Sequence, residues 1–464
     1  MSNCAMNYLK EDTIVALSTP VGKSAIAVIR MSGDDAFDIL NKVFKTSSKK
    51  NYQIKYGYLV DGNEKKDEVL CSFFYAPNTY TGQNLVEISV HGNPVIIKEV
   101  LNLLYKTGAR PAEPGEFTYR SFLNGKKDLA QAEAVCNLIT SKTATSAKAA
   151  LNNVRGVFST KIKNIKDSIT NLLAFMEVTL DHPEEDIMFL SREEKLSRLE
   201  ICIKDVEALL KSYKASKTFQ NGIKAALIGK PNAGKSSLLN AILGKNRAIV
   251  TEIAGTTTDT VEETIDCHGI PLTIIDTAGI RKHTENSIEL LGQEKTREII
   301  FSADILVWIF DSSFPIDEND IQLANILNNA KLSIPIIGLL NKSDLPQKLV
   351  IDENSTLLNL LTSKIKISAK KETGIFTLLD EFAKIAGINN MQDINLMINS
   401  RHCTLLNNAL EALQKTKLEL SSKNADELAC FQAKVAQNAL NEILGINVKE
   451  DILDTIFSTF CIGK

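Results

Sequence analysis

Gly229-Lys230-Pro231-Asn232-Ala233-Gly234-Lys235-Ser236 lies between an apolar run, Ala225-Ala226-Leu227-Ile228, and a run of helical character, Ser237-Leu238-Leu239-Asn240-Ala241-Ile242-Leu243. Strand, glycine-bounded loop and helix in that order are the setting of a phosphate-binding loop. The glycines let the backbone curl so that successive N–H groups converge, and the helix N-terminus adds roughly half a positive charge at the same spot. On this reading Lys235 reaches the β- and γ-phosphates of a nucleotide and Ser236 ligates Mg²⁺. The bland alternative is a glycine turn before a helix. The complete G-x-x-x-x-G-K-S spacing argues against it.

Outward from this loop, residues 216–383 alternate strands and helices, the signature of a doubly wound, mostly parallel sheet. Ala225 to Ile228, Leu272 to Ile275, Ile305 to Phe310 and Ile334 to Leu340 are near-continuous apolar runs, as expected of strands covered on both faces. On either side the chain reads as helical. Ile165, Ile169, Leu172, Leu173 and Met176 form one stripe, and Leu196, Leu199, Ile203, Val206, Leu209 and Leu210 a second. Leu406, Leu410, Leu413 and Leu420 form a third near the C-terminus. The acidic connection Asp181-His182-Pro183-Glu184-Glu185-Asp186 separates the first two and has no spaced ligand set for a metal. Residues 1–124 read as mixed α/β, with strands at Ala25–Arg30, Val69–Tyr75 and Leu85–Val90 and helices at Asp34–Phe44 and Val95–Tyr105. The expected fold is a multidomain α/β plus all-α chain. Its parts are an N-terminal domain (1–124), a helical bundle discontinuous in sequence (125–215 and 384–464), and a nucleotide domain inserted into it (216–383). Two independent helical blocks would give the same pattern.

The nucleotide motifs continue in order. Leu272-Thr273-Ile274-Ile275-Asp276-Thr277-Ala278-Gly279 is a strand ending in D-x-x-G, where Asp276 holds Mg²⁺ through water and the Gly279 N–H senses a γ-phosphate. Thr277 and Ala278 lie between them. Ala254-Gly255-Thr256-Thr257-Thr258-Asp259 supplies a threonine, Thr257 by position, that completes the Mg²⁺ shell. Asn341-Lys342-Ser343-Asp344 follows a strand. The Asp344 carboxylate can accept hydrogen bonds from guanine N1–H and the exocyclic amine, a pair that adenine lacks, so GTP is selected over ATP. Ser368-Ala369-Lys370 provides the last base-contacting loop. Ile280 stands where Ras-type enzymes place a water-orienting glutamine, so another carboxylate or a cation must serve hydrolysis.

The chain has 464 residues, 44% hydrophobic and 23% charged, with a net charge of −3. These values fit roughly three globular domains with sizeable cores. They disfavour adhesion to nucleic acid through bulk charge. There is no apolar run of membrane-spanning length and no signal-peptide pattern. The eight cysteines contain no C-x-x-C pair, which points away from a zinc site or disulfide framework. A cytoplasmic protein that is not membrane-bound is expected.

The five nucleotide motifs resemble those of bacterial translation-factor-like GTPases. The wider sequence resembles the MnmE (TrmE) family of tRNA-modification GTPases. The resemblance is carried by Asp12-Thr13-Ile14-Val15-Ala16, Tyr80-Thr81-Gly82, Pro114-Gly115-Glu116-Phe117-Thr118, Asp128-Leu129-Ala130-Gln131-Ala132-Glu133-Ala134, Asn399-Ser400-Arg401-His402 and the terminal Cys461-Ile462-Gly463-Lys464. It implies a homodimer joined through N-terminal domains. It also implies a heterotetramer with the FAD-containing partner MnmG, which places a carboxymethylaminomethyl-type group at C5 of the wobble uridine of certain tRNAs. The N-terminal domain would bind 5-formyl-tetrahydrofolate through Arg30, Glu87, Lys126 and Lys464. Read without the resemblance, Arg30 and Glu87 are strand-end surface charges and Lys464 a frayed terminus.

The family's nucleotide domains resemble potassium-activated GTPases that dimerise across their nucleotide faces. By motif, Asn232 would ligate K⁺ through its side chain, with oxygens from Thr251, Ile253 and Thr256. The GTP contacts implied are Asn232, Ala233, Gly234, Lys235, Ser236 and Ser237; Thr251, Glu252, Ile253, Ala254, Gly255, Thr256 and Thr257; and the later motif residues given above. Lys235 and Glu289 would be catalytic, Glu289 orienting water, with Glu285 a competing candidate. Thr258 stands where the family has arginine, which leaves any switch contact of that arginine in question. Cys461 lies four from the end but does not fit a prenylation box, and a chemical role for it is left open. The rival reading is a regulatory ribosome-assembly GTPase that binds rRNA. Such proteins carry a basic RNA-binding module, whereas this chain has the N-terminal motifs and the cysteine-bearing tail.

Overall fold

The computed structural model describes residues 12–47, 53–181, 190–245, 261–276, 294–330, 334–350, 356–387, 395–422 and 426–464. The N-terminal part is a seven-stranded sheet built from β1 (Ile14–Leu17), β2 (Ser24–Ser32), β3 (Phe44–Lys45), β4 (Ile54–Asp61), β5 (Glu64–Phe74), β6 (Leu85–Gly92) and β7 (Arg110–Pro111), in the order β3-β4-β5-β6-β2-β1-β7. All pairs are antiparallel except β1 with β7. Helices α1 (Ala36–Val43) and α2 (Pro94–Thr107) supply the side chains that cover one face. Their Ile39, Leu40, Val100 and Leu104 join Ile29, Met31, Val69, Cys71, Val86 and Ile88 in one core. The two-residue alternation explains this: Ala27, Ile29 and Met31 point inward from β2, leaving Arg30 on the other face. Asn93 caps α2 by accepting the Val95 N–H at 2.9 Å, and Pro94 occupies the first helical turn.

Helices α3 (Glu116–Leu123), α4 (Leu129–Thr140), α5 (Ala144–Val154), α6 (Val157–Asp181) and α7 (Arg192–Asn221) follow. The α6 stripe is buried as its spacing predicts, at Ile165, Ile169, Leu172, Leu173 and Met176. On α7 the leucine-rich stripe is buried at three of its six positions, and Lys195 and Cys202 share the buried face. Lys195, Leu199, Cys202, Val206 and Leu209 are buried, while Leu196, Ile203 and Leu210 are half-buried.

The nucleotide motifs stand on a six-stranded sheet of order β13-β12-β11-β8-β10-β9. Its elements in chain order are β8 (Ile223–Ile228), α8 (Lys235–Lys245), β9 (Val261–Cys267), β10 (Ile270–Asp276), α9 (Glu294–Ser302), β11 (Ile305–Asp311), α10 (Glu318–Asn329), β12 (Ile336–Asn341), α11 (Thr356–Leu360), β13 (Ser363–Lys366) and α12 (Ile375–Ile385). All pairings are parallel except the edge pair β9–β10. Both faces are covered. Ala225, Leu227, Val307 and Ile309 pack with Leu238 and Ile242 of α8 and Leu378 and Phe382 of α12. Ala226, Ile228, Leu306, Trp308 and Phe310 pack with Ile300 of α9 and Leu323 and Leu327 of α10. The apolar runs lack a polar face because neither side of the sheet meets water.

Three C-terminal helices complete the chain: α13 (Ser400–Ser421), α14 (Asp426–Leu444) and α15 (Glu450–Ser458). Two helical segments distant in sequence meet here. Gln437 of α14 donates to Thr170 of α6 at 2.7 Å, and Lys434 pairs with Glu177 at 2.6 Å. Phe457 of α15 packs edge-on against Tyr119 of α3, with ring centroids 5.1 Å apart. The chain divides into two compact units, Met1–Cys136 with Asn153–Val206 and Thr404–Lys464, and Asn137–Asn152 with Glu207–Cys403. Asn137–Asn152 groups with the nucleotide sheet through bonds such as Thr143 Oγ1 to the Gly269 carbonyl, at 2.8 Å. No described helix is long and apolar enough to cross a membrane.

Candidate functional site

Four loops or strand ends meet at the carboxyl edge of the parallel sheet. The chain leaves β8 towards α8 and β10 on one side and later returns to β11 on the other, and a crevice at such a reversal is where open α/β sheets bind ligands. The loop after β8 has Gly229 at φ 142°, Asn232 at φ 62° and Gly234 at φ 100°. A side chain at Gly229 would place its Cβ 2.5 Å from the Ile309 carbonyl oxygen, and one at Gly234 would overlap the Asn341 carboxamide. The Asn232 side chain is exposed on this loop, beside buried Ala233, and Ser237 is exposed one residue into α8 after Ser236.

Lys235 is buried at the start of α8, and its Nζ donates to the carbonyls of Gly229 and Lys230, each at 2.6 Å. The loop thus holds a cation at its own mouth, where phosphate oxygens would compete for it. Ser236 Oγ lies 3.3 Å from Asp276 Oδ2, and Asp276 is buried at the end of β10. A hydroxyl and a carboxylate at this spacing are hard oxygen donors that suit Mg²⁺. Among the described residues no three His, Cys, Asp or Glu side chains cluster as a metal cage.

Asn341, at the end of β12, ties the loops together. Its Nδ2 donates to the Ala233 carbonyl at 2.8 Å, and its Oδ1 accepts from the N–H groups of Lys342 at 2.8 Å and Ala369 at 3.0 Å. Lys342, at φ 61°, pairs with Asp311 at the end of β11. Burial pushes the Asp311 carboxyl up, but its bonds from Lys342 and Ser313 outweigh this and hold it below the ordinary value. Ser368 Oγ donates to Asp344 Oδ1 at 2.6 Å. That bond first, and then the nearby Lys371 and Lys370, lower the Asp344 carboxyl. The carboxylate is therefore held ionised and aimed, as guanine recognition requires.

A second charged cluster lies in the N-terminal unit. The β2–β6 register sets Arg30 directly opposite Glu87. Arg30 Nε and Nη2 both donate to Glu87 Oε1, at 3.0 and 2.7 Å, and Nη1 donates to the Gly463 carbonyl at 3.4 Å. The guanidinium faces the Tyr80 ring at 5.4 Å and the Phe117 ring at 5.8 Å. Gly463, at φ 91°, fits because a Cβ there would strike the Leu17 backbone. Half-buried Lys464 follows it. Burial lowers its ammonium below the usual lysine value, repulsion from Arg30 adds to this, and Glu87 opposes it.

The MnmE helical-domain model matches residues 129–461, and the model for the N-terminus of the GTP-binding protein TrmE matches residues 13–126. A tRNA modification GTPase MnmE of Endomicrobium trichonymphae is 68% identical, covering 99% of this chain and 100% of the relative. The chain belongs to the MnmE family. Proteins of the same description from Aquifex aeolicus and Natranaerobius thermophilus are 41% and 42% identical, each over 98% of this chain and 100% of the relative.

Within this MnmE-family chain, the structure brings together Ala233, Lys235, Ser236, Asp276, Asn341, Lys342, Asp344, Ser368 and Ala369 around one edge, and Arg30, Glu87 and Lys464 in the other cluster. Lys126 is exposed, whereas its neighbour Lys127 sets its Nζ 5.7 Å from the Tyr80 ring. Thr251, Glu252, Ile253, Ala254, Gly255, Thr256, Thr257, Thr258, Thr277, Ala278, Gly279, Ile280, Glu285 and Glu289 lie outside the described residues.

Sequence reasoning missed Lys230, which pairs with Asp317 at 2.7 Å and Asp320 at 2.5 Å at the start of α10 and so anchors the phosphate loop. It also missed the ion-pair network of Asp12, Arg110, Glu116 and Arg120, in which Glu116 is fully buried. The Asp12-Thr13 and Pro114-Gly115-Glu116 motifs were the available signal, but sequence alone does not show that they meet.

Proposed function

We propose that this protein is a GTP hydrolase that takes part in tRNA modification. The observation that carries this reading is the set of phosphate, Mg²⁺ and guanine loops at the carboxyl edge of a parallel sheet, in a chain of the MnmE family. Asp344, ionised and oriented by Ser368, selects guanine, and Lys235 neutralises the β- and γ-phosphates. Ser236 and Thr257 ligate Mg²⁺, with Asp276 behind its water shell.

The finer reading follows the family. Hydrolysis is activated by K⁺ held by Asn232, Thr251, Ile253 and Thr256, and Glu289 orients the attacking water. Arg30, Glu87, Lys126 and Lys464 bind 5-formyl-tetrahydrofolate in the N-terminal domain. A guanidinium–carboxylate pair flanked by two aromatic rings suits a flat, amide-edged and anionic ligand. A cytoplasmic homodimer works with the FAD-containing partner MnmG on C5 of the wobble uridine. The division at 1–124, 125–215, 216–383 and 384–464 belongs to this reading.

Mass spectrometry of wobble uridines from a deletion strain tests the proposal. Loss of the C5 group supports it, and intact modification would sink it. Exchange of K⁺ for Na⁺ should slow hydrolysis sharply, and equal rates remove the K⁺ argument. Glu289→Ala should bind GTP but not turn it over, and retained turnover shifts the role to Glu285.

A further inference from the structure

Tyr80 faces two cations. The Arg30 guanidinium lies 5.4 Å from its ring centroid and Lys127 Nζ 5.7 Å from it. The ring is fixed by a 2.8 Å hydrogen bond between its hydroxyl and that of Thr118, one residue from the Phe117 ring that also meets Arg30. Lys464 is close enough to Arg30 and Glu87 to feel both charges. Two cationic side chains, Arg30 and Lys464, thus stand beside Glu87, which Arg30 already engages through two N–H groups, and a third, Lys127, shares the Tyr80 ring with Arg30. Asp128, next to Lys127, does not offset them. Its carboxylate accepts from Ser159 at 2.8 Å and from Lys163 at 3.3 Å. Lys127 is held at the end of the turn after α3, where its N–H donates to the Ser121 carbonyl at 3.3 Å. Surplus positive charge on half-buried side chains favours an anion, because charges interact more strongly where water is partly excluded.

We infer that Lys127 is an anion-binding residue of this cluster, holding a carboxylate of a folate-class ligand together with Arg30 and Lys464. This rests on the folate reading above and adds a residue to it. A ligand carrying more glutamate carboxylates should bind more tightly than one carrying fewer, and Lys127 should account for part of the difference. Among the described residues no side-chain oxygen is bonded to the Lys127 ammonium beside the Tyr80 ring, and its three N–H donors suit a carboxylate.

The test is equilibrium binding of 5-formyl-tetrahydrofolate, in monoglutamate and polyglutamate forms, to the full-length protein across a range of salt. Lys127→Gln should weaken binding about tenfold, the worth of one charge-assisted hydrogen bond. The loss should be larger for the polyglutamate, with a flatter dependence on salt, and Lys127→Arg should restore most of it. A purely structural role would leave the salt dependence unchanged. Wild-type binding with unchanged affinity and salt dependence in Lys127→Gln overturns the inference alone. If the wild-type protein binds neither form, the folate reading and the inference fall together.

Discussion

In the parallel sheet of the nucleotide-binding unit, each candidate residue sits at or just past a strand's carboxyl end, and parallel direction alone brings those ends to one edge. In the antiparallel N-terminal sheet no such edge exists. Arg30 and Glu87 meet because the β2–β6 register makes them direct neighbours, and Tyr80, Phe117 and Gly463 arrive from three other parts of the chain. The first kind of site is written in short contiguous motifs, because each loop contributes as a unit. The second is written in single residues whose meaning depends on pairing.

This contrast can be broken or sharpened by substitution. The largest effect expected is at the phosphate loop: Lys235→Ala should lower GTP turnover roughly a hundredfold to a thousandfold, measured as steady-state phosphate release. Folate binding should persist, since the other cluster uses none of these loops. Next is Glu116→Gln, which leaves Arg110 and Arg120 facing a neutral group in a buried network. Removing one partner of such a network costs about 3–5 kcal/mol. Denaturant unfolding of the N-terminal unit should shift accordingly while GTP affinity stays the same. An equal loss at both sites would show that the two are not built independently.

Asp344→Ala should reduce the preference for GTP over ATP by about tenfold to a hundredfold, by competition binding. Smallest is Ser368→Ala, which removes the bond that chiefly depresses the Asp344 carboxyl. A depressed carboxyl keeps its charge below the ordinary aspartate range, so guanine selectivity is present above that range and fades only as pH falls through the lowered value. In wild type, selectivity should therefore hold at about pH 5. In Ser368→Ala it should weaken a few-fold and its loss should begin at higher pH.

The legibility of the chain follows the same contrast. The phosphate loop, Asp276 and Asn341-Lys342-Ser343-Asp344 could be read directly, because local spacing specifies both element and chemistry. The central strands β8, β10, β11 and β12 were plain as apolar runs, while β1, β4, β7, β9 and β13 were not read as strands. β7 is only two residues long, and β4 carries Gly57 within a mixed run. The α7 stripe was right at Leu199, Val206 and Leu209, but the buried face also takes in Cys202 and Lys195, the last of which hydrophobicity alone would put outside. Lys230 with Asp317 and Asp320, and Lys127 with Tyr80, are tertiary meetings that no spacing encodes.

Asn341 has a consequence for what the nucleotide edge can measure. One flat carboxamide fastens the phosphate loop at Ala233 to the base loops at Lys342 and Ala369. The span between the two ends is therefore set by a rigid plane, so the edge acts as a gauge of nucleoside length. A ligand with phosphate and guanine at the right separation meets both ends of the gauge in one event. Free polyphosphate or a lone nucleoside meets only one end, and the affinity of the joined ligand should far exceed that of either fragment, as for any two contacts held at fixed separation.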